Sequence, residues 1–321
     1  MIQKTIVRRQ YYILGMKINI TNYEDATHEV INWAKTGKSG YVCLANVHMV
    51  MEAYDSSEFR QLVNAANLVT PDGKPLSWGL QALGAISQQQ ICGREITLHI
   101  CKAAALSKIS VGFYGSSRQV VTALVIKMKQ YYPDLDIAYA YSPPYRSLTP
   151  EENDTVIQNI KSSGVRILFV GLGCPKQERW MAKHTSHIPA VMLGIGAAFD
   201  VLAGAKPQVP CWMQKLGLEW LFRLCLEPRR LWHRNFRHSP RFIIFFALQI
   251  IELITLFVCI TSPSLQMKEQ ELFIDLIHLE KSIEDTKQQL RLLKSKISHK
   301  PKIDLKSLNY SAKTFFLIQI Y

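Results

Sequence analysis

A chain of 321 residues, 48% of them apolar, can bury one or two sizeable cores, which excludes a disordered polymer. Its 38 Lys and Arg against 25 Asp and Glu leave a net charge of +13, so the expected partners are anions: nucleic acid, acidic lipid or a phosphorylated substrate. Seven scattered cysteines with no CxxC pair predict reduced thiols rather than a disulfide framework, and His184-x-x-His187 lacks the further ligands that zinc needs.

The first residues are basic, without a sustained apolar run or a small-residue cleavage site, so a cytoplasmic catalytic part is expected rather than a secreted one. From residue 12 to 205 short strands alternate with helices. "YYILGMKINI" and "GYVCLANV" read as strands, with the helix "EDATHEVINWAKTG" between them closed by Gly37. "KISVGFYGSS", "LDIAYAYSPP", "GVRILFVGLG" and "PAVMLGIGAAF" are β-branched or aromatic runs ending in Gly, Ser or Pro. The pattern predicts an α/β fold, a Rossmann-like and mostly parallel sheet flanked by helices, occupying residues 1–205 with ligands at the carboxyl ends of the strands.

Residues 206–241 change character: Trp, Leu and Phe sit between many arginines, as in a basic, aromatic pair of helices appended to the sheet. Phe242 to Ile260 is a hydrophobic helix close to the roughly 20 residues that span a bilayer. Its aliphatic and aromatic side chains favour insertion by roughly 4–8 kcal/mol, while Glu252 costs about 3, with Gln249 adding to that cost. Gln249, Glu252 and Thr255 share a face, which lets the segment lie in the interface or pair with a copy of itself; a spanning helix and a buried core helix are the other readings. Residues 261–300 carry Leu272, Leu276, Leu279, Ile283, Thr286, Leu290, Leu293 and Ile297 at alternating spacings of four and three, a coiled-coil pattern that predicts a homo-oligomer through residues 265–297. The tail 301–321 is uninformative.

Three places can carry chemistry. In "FVGLGCPKQERW" the third glycine of a dinucleotide fingerprint is replaced by Lys176, which argues against an oxidoreductase. Pro175 instead suits the first turn of a helix whose free N–H groups attract phosphate or place Gln177, and Cys174 reads as a packed thiol. In "NLVTPDGKPLSW", Asp72 is either a turn former or a carboxylate at a strand end, where a general base is useful. Asn46 and His48 stand at another strand end. Asp134-Leu-Asp136 has the DxD spacing of metal-dependent sugar transfer but reads as a solvated loop. Without a metal, Arg223, Arg229, Arg230 and Arg234 are the groups able to meet a diphosphate, and they equally suit anionic lipid.

Taken together, "TPDG" (70–73), "VGLGCPKQERWMAKH" (170–184) and the run from "GIGAAFDVLAG" to "VPCWMQKLGLEWLFRLCLEPRRLW" (194–232) resemble the WecG/TagA/CpsF glycosyltransferase family, from about Ile13 to Phe242. The resemblance implies inverting, metal-independent transfer, without a cofactor, of an N-acetylmannosamine-like sugar or related hexose. The donor is a UDP-sugar and the acceptor a polyprenyl-diphosphate-linked sugar at the cytoplasmic face of the cell membrane, in cell-surface polysaccharide synthesis and with no nucleic acid partner. It implies Asp72 as the base, Asn46 and Gln177 in the donor pocket, Phe199 and Asp200 beside the nucleotide, and Arg223, Arg229, Arg230 and Arg234 over the diphosphate. Leu44 departs from the threonine common two residues before the asparagine. The alternative is a membrane-tethered coiled-coil scaffold whose nucleotide-sugar domain binds without turnover.

Overall fold

The computed structural model describes residues 9–261. Residues up to Ile251 form one compact unit, and a second begins at Glu252, of which only the end of a helix is described. The coiled-coil segment 261–300, beyond its first residue, and the tail lie outside the described residues.

The run from Tyr11 to Ile20, expected as one strand, is a hairpin: β1 (Gln10–Ile13) and β2 (Met16–Asn19) pair antiparallel in a sheet of their own. Leu14 and Gly15 turn the chain with φ of 49° and 78°, the geometry of a two-residue hairpin turn. Leucine rarely adopts a positive φ, so the turn has no sequence signal. Helix α1 (Tyr23–Thr36) follows, capped by the Asn22 side chain at its start and by left-handed Gly37 at its end, as expected.

The chain then alternates through β3 (Gly40–Ala45), α2 (Val47–Asp55), α3 (Ser57–Asn64), β4 (Leu68–Pro71), α4 (Lys74–Ala82), α5 (Gly93–Ser107), β5 (Val111–Gly115), α6 (Arg118–Tyr131), β6 (Ile137–Tyr141), α7 (Pro150–Ser162), β7 (Ile167–Gly171), α8 (Lys176–His184), β8 (Val191–Gly194) and α9 (Ala198–Leu202). The six strands β3 to β8 form one sheet in the order β4-β3-β8-β7-β5-β6, every pair parallel. This is the α/β fold that the alternation predicts. Helices cover both faces, so the strands are apolar on both sides. Along β3, Tyr41, Cys43 and Ala45 enter one core with Met49, Phe59 and Met181, while Val42 and Leu44 enter the other with Val30, Ile100, Leu124 and Phe199.

Because all six strands run the same way, their carboxyl ends share one edge, and the loops leaving them build the site there. Asp134 and Asp136 are exposed in the loop before β6, at the amino edge. They therefore lie away from that site, as their reading as a solvated loop anticipates.

Past the sheet come α10 (Cys211–Lys215), α11 (Glu219–Leu226) and α12 (Pro228–Thr261). The basic segment and the hydrophobic segment are continuous: α12 runs through Arg241-Phe242 with Pro240 inside it. Its middle is docked. Phe242 is buried, Phe245 stacks on Tyr54 at 4.8 Å, and Arg241 holds Asp55 through two contacts of 2.6 and 2.9 Å. Gln249 Oε1 accepts the Leu14 N–H at 2.9 Å, and its Nε2 donates to the Tyr12 carbonyl at 2.8 Å. The polar stripe expected to face a membrane interface or a second copy thus spends Gln249 on the hairpin. Replacing Gln249 with Leu removes both bonds from partly exposed backbone, and we expect a loss of about 1–2 kcal/mol in urea unfolding. An unchanged midpoint would show the dock to be idle.

Candidate active site

The carboxyl edge of the sheet opens into a cleft of about 1650 Å³. Its floor takes Asn46 after β3, Asp72 after β4, Ser116 after β5, the Gly171–Cys174 turn after β7 and Gly194–Gly196 after β8. Its roof takes Glu219, Phe222, Arg223, Glu227, Arg230 and Arg234 from α11, α12 and the junction between them. Asn46, Asp72, Gln177, Asp200, Arg223, Arg230 and Arg234, all singled out from the sequence, line this one cleft.

Asp72 is fixed from three directions. Its N–H donates to the Ala45 carbonyl at 2.7 Å, Gln90 Nε2 donates to its carbonyl at 2.7 Å, and its Oδ1 accepts the Gly93 N–H at 3.0 Å. Gly93 opens α5, so the carboxylate also faces the positive end of a helix. Across the cleft Glu219 and Arg223, one turn apart on α11, pair at 2.5 Å. Burial, and then the charge of Glu219, push the Asp72 carboxyl up to about 8, while Arg223 and the Gly93 N–H pull against that rise. A carboxyl whose pKa lies near neutrality and whose position is fixed can exchange a proton with a bound hydroxyl.

The arginines differ in state. Burial opposes the charge of Arg223, yet Glu219 and Asp72 beside it hold it more firmly protonated than usual. Arg230 pairs with Glu227 at 2.5 Å. The Arg234 Nε is buried without a hydrogen-bond partner, and burial followed by Arg230 and Arg223 lowers its pKa. Three guanidinium groups crowded enough to repel, one with a donor unspent, make a place that an anion would relieve. Arg229 does not join them: it is exposed and outside the cleft lining. Successive helical residues point about 100° apart, so turning Arg230 inward turns Arg229 out.

Asn46 caps α2, accepting the Met49 N–H at 3.2 Å. Gln177, only 4% exposed, accepts the Gly173 N–H at 3.2 Å and donates to Glu178 Oε1 at 2.7 Å. The glycine-rich stretch is therefore a strand-to-helix turn that fixes an amide. Asp200 accepts from the Ser116 hydroxyl at 3.1 Å and pairs with Lys206 at 2.6 Å, and Lys206 reaches Glu227 at 3.0 Å. Phe199 is in the core and outside the cleft lining. Its ring packs edge-on to Phe113 and against Gly171, where a Cβ would come within 2.7 Å of it, so it supports the end of β7 from behind. Cys174 is half-buried at the cleft lining, and its surroundings, with Glu178 nearby, hold its thiol well above the ordinary range.

Residues 11–254 match the model of the glycosyl transferase WecG/TagA/CpsF family. The chain belongs to that family. It is similar to the N-acetylglucosaminyldiphosphoundecaprenol N-acetyl-beta-D-mannosaminyltransferase of Staphylococcus aureus (strain NCTC 8325 / PS 47), with 30% identity over 192 residues, 60% of this chain and 74% of that protein. The enzyme of the same name from Bacillus spizizenii is 28% identical over 209 residues, 65% of this chain and 79% of its own. This chain is thus a glycosyltransferase.

Glu219 of this glycosyltransferase's cleft, and Glu178 just outside its lining, escaped the sequence reading. Glu219 shows only the four-residue spacing to Arg223 of an ordinary helical ion pair, and nothing local links it to Asp72. Glu178 is fully buried. Burial raises its carboxyl to about 7, against the pull of the Gln177 side chain. The native state therefore keeps a proton that the unfolded chain has released between about pH 4.5 and 7, and this contribution to stability is lost as pH rises through 7. Glu178→Gln removes that loss, so its melting temperature should exceed that of the parent at pH 8 and lose the advantage near pH 5. A pH-independent difference would mean that Glu178 is not the group responsible.

Proposed function

We propose that this chain moves an N-acetylmannosamine-like sugar or related hexose from a UDP donor to a polyprenyl-diphosphate-linked sugar, with inversion and without a divalent metal at the diphosphate, at the cytoplasmic face of the membrane in cell-surface polysaccharide synthesis. The observation that carries it is the meeting, in one cleft, of the strand-end carboxylate Asp72 with Arg223, Arg230 and Arg234 of the roof helices α11 and α12, here called the flap. Asp72 takes the proton of the acceptor hydroxyl while that oxygen forms its bond to the anomeric carbon on the face opposite UDP. The bond from that carbon to the diphosphate oxygen breaks, its electron pair stays on UDP, and the arginines meet the developing charge. Asn46 and Gln177 border the sugar-nucleotide. The relatives named N-acetylglucosaminyldiphosphoundecaprenol N-acetyl-beta-D-mannosaminyltransferase support this choice of donor and acceptor.

The reading assigns membrane attachment to α12. One side of its middle is docked through Phe242 and Gln249, while Trp232, Phe236, Ile243, Ile244 and Leu248 are exposed. A helix bonded to its own protein over residues 241–249 is not free to cross a bilayer alone, but its open apolar side can lie in the interface, with Arg229 and Arg237 drawn to anionic headgroups. Binding is therefore peripheral in this reading.

The test is transfer from a panel of labelled UDP-sugars to a synthetic lipid-diphosphate sugar in the presence of EDTA. Product in EDTA supports the proposal; tight donor binding with no product would favour the scaffold; loss of product that only manganese restores would remove the metal-independent step. The reading also sets a pH effect. Glu219 raises the pKa of Asp72, so in Glu219→Gln the carboxylate forms at lower pH. The rising limb of kcat/KM should shift toward acid, whereas an unmoved limb would mean that another group titrates.

A further inference from the structure

A second group of polar side chains borders the cleft where α2 meets α12. His48 and Glu52, one turn apart on α2, face His238 of α12, whose side chain is only 8% exposed. Glu52 Oε1 stands 3.8 Å from His48 Nδ1 and 3.8 Å from His238 Nε2, and the two rings are 5.0 Å apart. The three donor atoms lie within 4.8 Å of one another. At 3.8 Å the carboxylate oxygen is hydrogen-bonded to neither ring. The His48 Nδ1 is buried without a hydrogen-bond partner.

Two imidazoles and a carboxylate are the donor set that a zinc-class cation takes. Against a cation stand Arg234, Arg237 and Arg241, the last neutralised by its two contacts with Asp55.

We infer that His48 Nδ1, Glu52 Oε1 and His238 Nε2 form a site for a zinc-class divalent cation that fastens α12 to α2. Metal–ligand distances of about 2.0–2.2 Å require the three donors to draw together by roughly half an ångström or more, a shift that side-chain rotation can supply. Two imidazoles and one carboxylate select Zn²⁺ or Co²⁺ over Mg²⁺ and Mn²⁺. The ion's task is to hold the helix that carries Arg230 and Arg234 over the cleft, and no step of sugar transfer runs through it.

The experiment uses tag-free full-length protein, stripped with chelator and carrying Asp72→Asn, so that its outcome is independent of the transfer reading. Titration with Co²⁺ is followed by visible absorption, and Zn²⁺ by melting temperature. One saturable equivalent, a higher melting temperature with Zn²⁺ but not with Mg²⁺ or Mn²⁺, and at least a tenfold weaker affinity in both His238→Ala and Glu52→Gln are expected. Absence of saturable binding, or binding retained in Glu52→Gln, a variant that keeps the shape of the side chain, would overturn the site.

Discussion

Asp72→Asn should fold normally and lose about 10²–10⁴-fold in transfer rate, the range expected when a positioned base is removed. The asparagine oxygen can still accept the Gly93 N–H, so the junction of β4 and α5 keeps its hydrogen bond. What disappears is a site for the acceptor's proton. The same substitution has a signature in stability. The Asp72 pKa rises from 3.8 to about 8 on folding, so the native chain retains a proton that the unfolded chain has lost between those values. That contribution is complete below pH 4 and is lost as pH rises through 8. The asparagine variant has no such loss, and at pH 9 it should melt no lower than the parent. Initial rates with a lipid-diphosphate acceptor and melting curves at pH 6 and 9 check both halves. Near-parental turnover would refute the role of Asp72 as base, and a variant unfolded at pH 6 would make the rate uninformative, in which case Asp72→Ser replaces it.

Most of the sheet was legible because its parallel strands write themselves as short apolar runs, three of the six stopped by glycine, as in Ile167–Gly171 and Val191–Gly194. The hairpin was not, since its turn places Leu14 at positive φ and only the bonds from Gln249, distant in sequence, reveal its purpose. The continuity of α12 was hidden by Pro240 and by the abrupt change from basic to apolar composition. Both are local signals of a boundary, and tertiary docking overrides them. In the site, strand ends marked Asp72 and Asn46 as candidates, and both line the cleft. The motif containing Phe199 and Asp200 could not show that one side chain enters the cleft while its neighbour fills the core. Electrostatic partners were least readable. Glu219 shifts Asp72 through space, and no spacing in the sequence encodes that approach.

Arg223 is the second residue whose loss should be severe, because in the proposed mechanism it acts on both the base and the leaving group. Its guanidinium pairs with Glu219 at 2.5 Å and lowers the pKa of Asp72, while lining the cleft among the arginines proposed to meet UDP. Removing one preorganised donor at developing charge costs about 10²–10³-fold in kcat. Arg223→Ala should therefore slow transfer by at least that factor. It should also move the rising limb of the pH profile toward alkali, since Asp72 and Glu219 are left facing each other without a cation. Arg223→Lys separates the two effects. Its charge still opposes the rise of the Asp72 pKa, so the limb should return toward its parental position. The planar fork that can address two oxygens at once is gone, so kcat should remain depressed. If lysine restored the rate in full, a point charge would suffice and the geometric argument would fail. If alanine left both rate and limb unchanged, the flap would have no part in catalysis, however closely it covers the cleft.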